Sequence, residues 1–217
     1  MEKFTLALIQ VAWRDNPHVH VANLDARTAQ AKQGGASLVC LQELTLSSYF
    51  PAEPDSPDEP ENIPKGRSCL VFSQLARKHR VYLLGSLYEK GDGNHRYNTA
   101  VLFDPAGELI GKCRKQHIPW DIGYYERDYF EPGDSAYPVF DLPFVRLAMP
   151  TCYDQWFPEA ARIYALNGAE LIVFPTAIGS EPTLEDFDSQ PAWLKIVSSH
   201  AIANSLFVAA VNRVGKE

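Results

Sequence analysis

A glutamate, a lysine and a cysteine, far apart in the chain, each close a short apolar run: Glu43 in SLVCLQE, Lys115 in ELIGKCRK and Cys152 in RLAMPTC. Together these three side chains could perform covalent chemistry. A free thiol is only a few per cent thiolate at neutral pH, so a nucleophilic cysteine needs activation. A neighbouring ammonium favours the thiolate, and a carboxylate can take the proton. Taken singly, each residue has a plainer role. Glu43 could be a solvent-facing strand end, since a buried carboxylate is costly. Lys115 could be a solvated edge residue, and Cys152 a small buried hydrophobe.

The elements that would have to position them can be read from hydrophobic patterning. Residues 4–12, 37–44, 81–90, 95–104, 108–116, 146–152, 169–177 and 205–213 read as strands. Helices are expected from Asn16-Pro17 to Gln33, over 67–80, from Pro158 to Gly168 and over 191–204, where Trp193, Ile196, Val197 and Ile202 lie on related faces. Tight Gly turns join three of the strands into a meander. Residues 51–64 are proline-rich and acidic, which predicts a surface loop. Helices alternate with strands and flank the meander, so the class is α/β with a mixed sheet system. Glu43, Lys115 and Cys152 then share the C-terminal strand edge, where open α/β sheets bind ligands.

Composition narrows the partners. With 217 residues, 46% hydrophobic and 22% charged, the chain can bury one sizeable core. A formal charge of −7 without a lysine or arginine cluster argues against nucleic acid. No apolar stretch is long enough to span a membrane, and MEKFTLALIQVAW is a poor signal peptide. The four cysteines, at 40, 69, 113 and 152, form no CxxC pair, so zinc clusters and disulfide frameworks are disfavoured. A reduced, cytoplasmic setting is the simple expectation.

The stretches LQEL, RKQHIP and CYDQWFPEAAR resemble those of the nitrilase superfamily of carbon–nitrogen hydrolases, whose catalytic set is Glu, Lys and Cys. The resemblance runs from residue 4 to 217 in the family's order. It implies Glu43, Lys115 and Cys152 as the catalytic residues, with Glu126 in GYYERDYFEPGD as the family's second glutamate. It also implies an αββα four-layer sandwich, no metal or organic cofactor, and a homodimer or larger homo-oligomer. Family members usually continue with further strands and a tail, so 1–217 reads as one domain lacking that C-terminal portion.

Within the superfamily, WFPEAARIYALNGAELIVFPTAIGSEP and SSHAIANSLFVAAVNRVGKE are most similar to the branch that cleaves N-carbamoyl amines such as N-carbamoylputrescine. Two positions depart from it. Ala192 precedes Trp193 where that branch carries a histidine, and Pro150-Thr151 precede the cysteine where aliphatic residues are usual. The implied mechanism has Glu43 as base, a Cys152 thioester, and an oxyanion met by Lys115 and the Tyr153 N–H. Trp156 is a candidate pocket wall. Glu181, Asp186 and Asp188 are candidates to receive a substrate ammonium, and Asp154 is expected to position backbone. A carbamoyl amino acid (β-ureidopropionase-like) or ω-amide substrate would instead call for an arginine, Arg162 or Arg213. A Cys–His arrangement through His117 or His200 is the chemical alternative, a non-catalytic assembly subunit the biological one. His18 and His20 are expected at the surface.

Overall fold

The computed structural model describes residues 3–57, 59–179, 184 and 187–216. Among these residues nine strands form two sheets. The first has the order β1 (Thr5–Ile9), β2 (Ala36–Leu41), β3 (Tyr82–Lys90), β4 (Arg96–Phe103), β5 (Leu109–Arg114). β1, β2 and β3 run parallel, and β3 to β5 are the antiparallel meander read from the Gly turns. The second sheet has the order β6 (Val139–Leu142), β7 (Val145–Ala148), β8 (Leu171–Thr176), β9 (Phe207–Asn212). β6 went unread in the sequence because VFDL is short and abuts β7 through a tight turn.

Four α-helices complete the layers among the described residues: α1 (Pro17–Gln33), α2 (Arg67–His79), α3 (Pro158–Leu166) and α4 (Gln190–Asn204). The caps explain the clean agreement at α1. Asn16 accepts hydrogen bonds from the N–H groups of His18 and Val19, and Pro17 needs no donor at the first helical position.

Side-chain alternation along the strands builds the sandwich. On β2, Leu38 and Cys40 point to the second sheet, where they meet a core including Leu147, Ile172, Phe174 and Val211. Val39 and Leu41 point the other way, into the layer under α1 and α2 with Leu24, Phe72 and Leu75. α2 lies so close to β3 that a Cβ on Gly85 would come within 2.7 Å of the Phe72 ring. On the far side Tyr164 of α3 is buried and joins the inter-sheet core. The result is an αββα four-layer sandwich. α4 departs from expectation in one respect: Val197 is buried, but Ile202 faces outward. His20 also differs, being buried with Nε2 bonded to the Thr45 carbonyl.

A polar brace secures the end of β5. The buried Glu89 carboxylate takes bonds from Lys112 Nζ at 2.7 Å, Arg114 Nη2 at 2.7 Å and Thr99 Oγ1 at 2.6 Å. Arg114 also pairs with Asp134 and lies 3.8 Å above the Tyr97 ring. Burial alone would raise the Glu89 pKa, but Arg114, Lys112 and Thr99 overcome it and hold the group at about 2. A depressed carboxylate stabilises the fold above its usual value of 4.5, and that contribution is lost as pH falls toward 2. Thermal unfolding should therefore find Glu89→Gln less stable than the parent at pH 7, with the gap closing as pH drops through that window. A pH-independent gap would contradict this account.

Candidate active site

Glu43, Lys115 and Cys152 each lie just beyond a strand rather than on it: past β2, β5 and β7 respectively. The regular ladder ends there, although the Lys115 N–H still bonds the Asn98 carbonyl at 2.8 Å, and the side chains turn inward. The clearest case is Cys152, which opens a short 3₁₀ turn, Cys152–Trp156, with φ of +41°. A side-chain-bearing residue in that left-handed region costs about 1–3 kcal/mol, which the surrounding bonds must sustain.

Those bonds centre on Asp154. Its carboxylate accepts from the N–H of Thr151 at 3.0 Å, and from the N–H of His117 at 2.9 Å and of Gln116 at 3.2 Å. It also meets His117 Nδ1 at 2.7 Å, and the His117 ring stacks on Phe157 with centroids 3.7 Å apart. One carboxylate thus ties the segment after Lys115 to the turn that carries Cys152. His200 bonds the Gln155 carbonyl, and neither it nor His117 lines the cavity over Cys152, so the Cys–His alternative finds no support in the geometry.

The three sequence-predicted groups, with Glu126, converge. Lys115 is 1% exposed, and Glu43 and Glu126 are fully buried. Lys115 Nζ donates to Glu43 Oε1 at 2.9 Å and to Glu126 Oε2 at 2.6 Å and Oε1 at 2.8 Å. Tyr49 Oη adds a bond to Glu126 Oε1 at 2.7 Å. Asn98 Nδ2 adds one to Glu43 Oε1 at 2.7 Å. Neither Tyr49 nor Asn98 was singled out in the sequence. The available signal for Asn98 was an amide inside the apolar strand RYNTAVLF. Glu43 Oε2 has no hydrogen-bond partner among the described residues.

Electrostatics follow from two carboxylates sharing one ammonium in a dry site. Burial works against the Lys115 charge, but Glu126 and Glu43 outweigh it and hold its pKa above the ordinary lysine value. Burial pushes Glu126 up to about 7 despite Lys115, with Glu43 adding repulsion. Burial also pushes the Cys152 thiol well up, and Glu43 and Glu126 add to that against Lys115. The resting group is therefore a thiol, whose Sγ lies 3.8 Å from the Ala177 carbonyl oxygen. The lysine alone does not make it a thiolate.

A cavity of about 230 Å³ opens over Cys152 and Glu126. Tyr49, Trp120, Tyr124, Tyr153 and Trp156 wall it, and Asp121 carries the one carboxylate near its rim. Among the described residues that line it there is no lysine, arginine or histidine. Trp156, the candidate pocket wall, and Tyr153, whose N–H was the candidate oxyanion donor, both line this cavity. Asp188 lies apart, lining a second cavity of about 270 Å³ that shares Ile178 with the first. Glu181 and Asp186 fall outside the described residues. The two arginines considered for a substrate carboxylate are engaged elsewhere. Arg213 donates to the carbonyls of Glu43 and Ser47, and Arg162 to that of Ala203. No cluster of three or more His, Cys, Asp or Glu side chains that could hold a metal occurs among the described residues.

Comparison with known proteins converges on one family. The sequence matches the family described as Carbon-nitrogen hydrolase over residues 5–217. It is 39% identical to a citrullinase of Francisella tularensis, covering 100% of this chain and 76% of that protein. It is 38% identical to the N-carbamoylputrescine amidase of Solanum lycopersicum, covering 98% of this chain and 71% of that one. Among solved structures, a carbon-nitrogen hydrolase from Helicobacter pylori superposes with a TM-score of 0.92 at 37% identity, covering 99% of this chain and 75% of that chain. A buried Glu–Lys–Cys cluster at the strand ends of an αββα sandwich, together with these matches, means that the chain belongs to the carbon-nitrogen hydrolase family of the nitrilase superfamily.

Proposed function

We propose that this carbon-nitrogen hydrolase cleaves the ureido group of an N-carbamoyl amine, N-carbamoylputrescine being the type substrate, through a Cys152 thioester. The observation that carries the reading is the pocket's one-sided charge. Its rim holds the Asp121 carboxylate among aromatic rings, and no described cation lines it. A substrate tail bearing an ammonium gains from a carboxylate and from aromatic faces. A carboxylate tail, as in a ureido acid or an ω-amide acid, would meet Asp121 with the wrong sign.

The chemistry runs as follows. Glu43 Oε2 takes the proton of Cys152 as Sγ attacks the ureido carbon, so a thiol that burial keeps protonated is activated only at the moment of attack. The oxyanion is met by the Lys115 ammonium and the Tyr153 N–H. Donors of this kind in a water-excluded site are worth about 3–4 kcal/mol each. The C–N bond breaks, and ammonia or the amine departs with the proton from Glu43. Water then gives its proton to Glu43 and adds to the thioester, releasing Cys152. The products are amine, carbon dioxide and ammonia. Glu126, gripping Nζ with both oxygens, keeps Lys115 aimed at the reacting oxygen.

Ammonia release from N-carbamoylputrescine, citrulline and N-carbamoyl-β-alanine tests this directly. Turnover is expected to favour the first and to vanish in Cys152→Ala; activity that survives the substitution would end the nucleophile assignment. Preference for N-carbamoyl-β-alanine would overturn the amine reading alone. Asp121→Asn should raise KM for N-carbamoylputrescine by roughly tenfold, about 1.4 kcal/mol, with kcat little changed. An unchanged KM would remove Asp121 from substrate binding.

A further inference from the structure

We propose that Asn98 is the positioning residue that divides the two oxygens of Glu43 between two tasks, holding Oε1 so that Oε2 alone serves as the base. The inference rests on the Glu43–Cys152 proton transfer proposed above, but not on which ureido substrate is turned over.

A carboxylate free to rotate offers either oxygen to the thiol, and only one orientation is productive. Asn98, fully buried on β4, removes that freedom. Its Nδ2 donates to Glu43 Oε1 at 2.7 Å, the same oxygen that Lys115 Nζ engages at 2.9 Å. Oε2 has no hydrogen-bond partner among the described residues. A charged carboxylate only accepts, so the NH₂ end of the amide must face Glu43. The other end is held in turn: Ser86 Oγ lies 3.3 Å from Asn98 Oδ1, with the hydroxyl donating. The same Ser86 oxygen accepts the Leu44 N–H at 3.1 Å, one residue beyond Glu43.

Asn98 also reaches the lysine through its main chain, its carbonyl accepting the Lys115 N–H at 2.8 Å. One residue therefore fixes the side chain of the base and the backbone of the cation. A fully buried amide at this place would be costly without such use, since it demands all its partners.

The test follows Cys152 in this chain of 217 residues, with iodoacetamide as a probe whose labelling needs no substrate. Asn98→Leu keeps the bulk and removes both polar ends. Ser86→Ala removes the hydroxyl that orients Asn98, together with the acceptor of the Leu44 N–H, and it serves if the first variant folds poorly. The alkylation rate of Cys152 is expected to fall about 10²-fold in Asn98→Leu and roughly tenfold in Ser86→Ala, with kcat falling in step and KM within about twofold. A residue that merely supports the fold would lower the melting temperature and leave the labelling rate of the folded protein and kcat near the parent's. That result would overturn the proposal. If the parent itself labels no faster than Cys152→Ala, the nucleophile reading fails and this inference with it. The two failures are told apart by the parent alone.

Discussion

The structure is organised around one ammonium held in a dry interior between two carboxylates. Taking Lys115, Glu43 and Glu126 out of water costs several kcal/mol per ion, and the mutual attraction returns this only if the geometry is tight. The contacts of 2.6–2.9 Å around Nζ meet that condition. Removing one member of such a group typically costs about 3–5 kcal/mol, because the others stay buried and unpaired. Tyr49 and Asn98 add one bond each, to Glu126 Oε1 and Glu43 Oε1, and the Glu89 brace keeps the end of β5 in place immediately before Lys115. The sandwich supplies the dryness: a site at the ends of two face-to-face sheets can be walled on all sides while the sheet interior stays apolar.

An excess of negative charge in that cluster also governs protonation. With two carboxylates and one ammonium, adding a thiolate would leave two net negative charges in a low-dielectric cavity. Burial and the two carboxylates push the Cys152 thiol up, which keeps that further charge out of the cluster. In the proposed mechanism Cys152 is thus a latent nucleophile, losing its proton as the substrate carbonyl takes the electron pair and passes the charge to Lys115.

Much of this was legible in the amino-acid sequence. Helix ends marked by Asn16-Pro17 and by Pro158 were readable because caps act locally. The αββα layering came through the family resemblance, which also singled out Glu126. Other features depend on tertiary contacts that leave a weak local trace. His20 looked like one of two polar residues at the start of a helix, yet it lies under the Thr45 carbonyl. Asn98 was hidden in a strand pattern whose burial only the second sheet supplies. Ile202 shares helical spacing with Val197 but turns outward, since spacing alone does not say which side of α4 meets the sheet. Asp121 belongs to a turn whose role depends on where Cys152 lies in space.

The Asp154 carboxylate has a mechanical consequence. It belongs to the segment following β7 of the second sheet, yet it grips main-chain N–H groups of the segment following β5, the last strand of the first. Between the sheets lies an apolar core, and Arg213 adds a second polar tie by donating to the Glu43 and Ser47 carbonyls. At this corner the two sheets are riveted by charge-assisted bonds. The ammonium follows the last strand of one sheet and the thiol follows a strand of the other, so the Asp154 carboxylate ties the two segments that carry them into one unit.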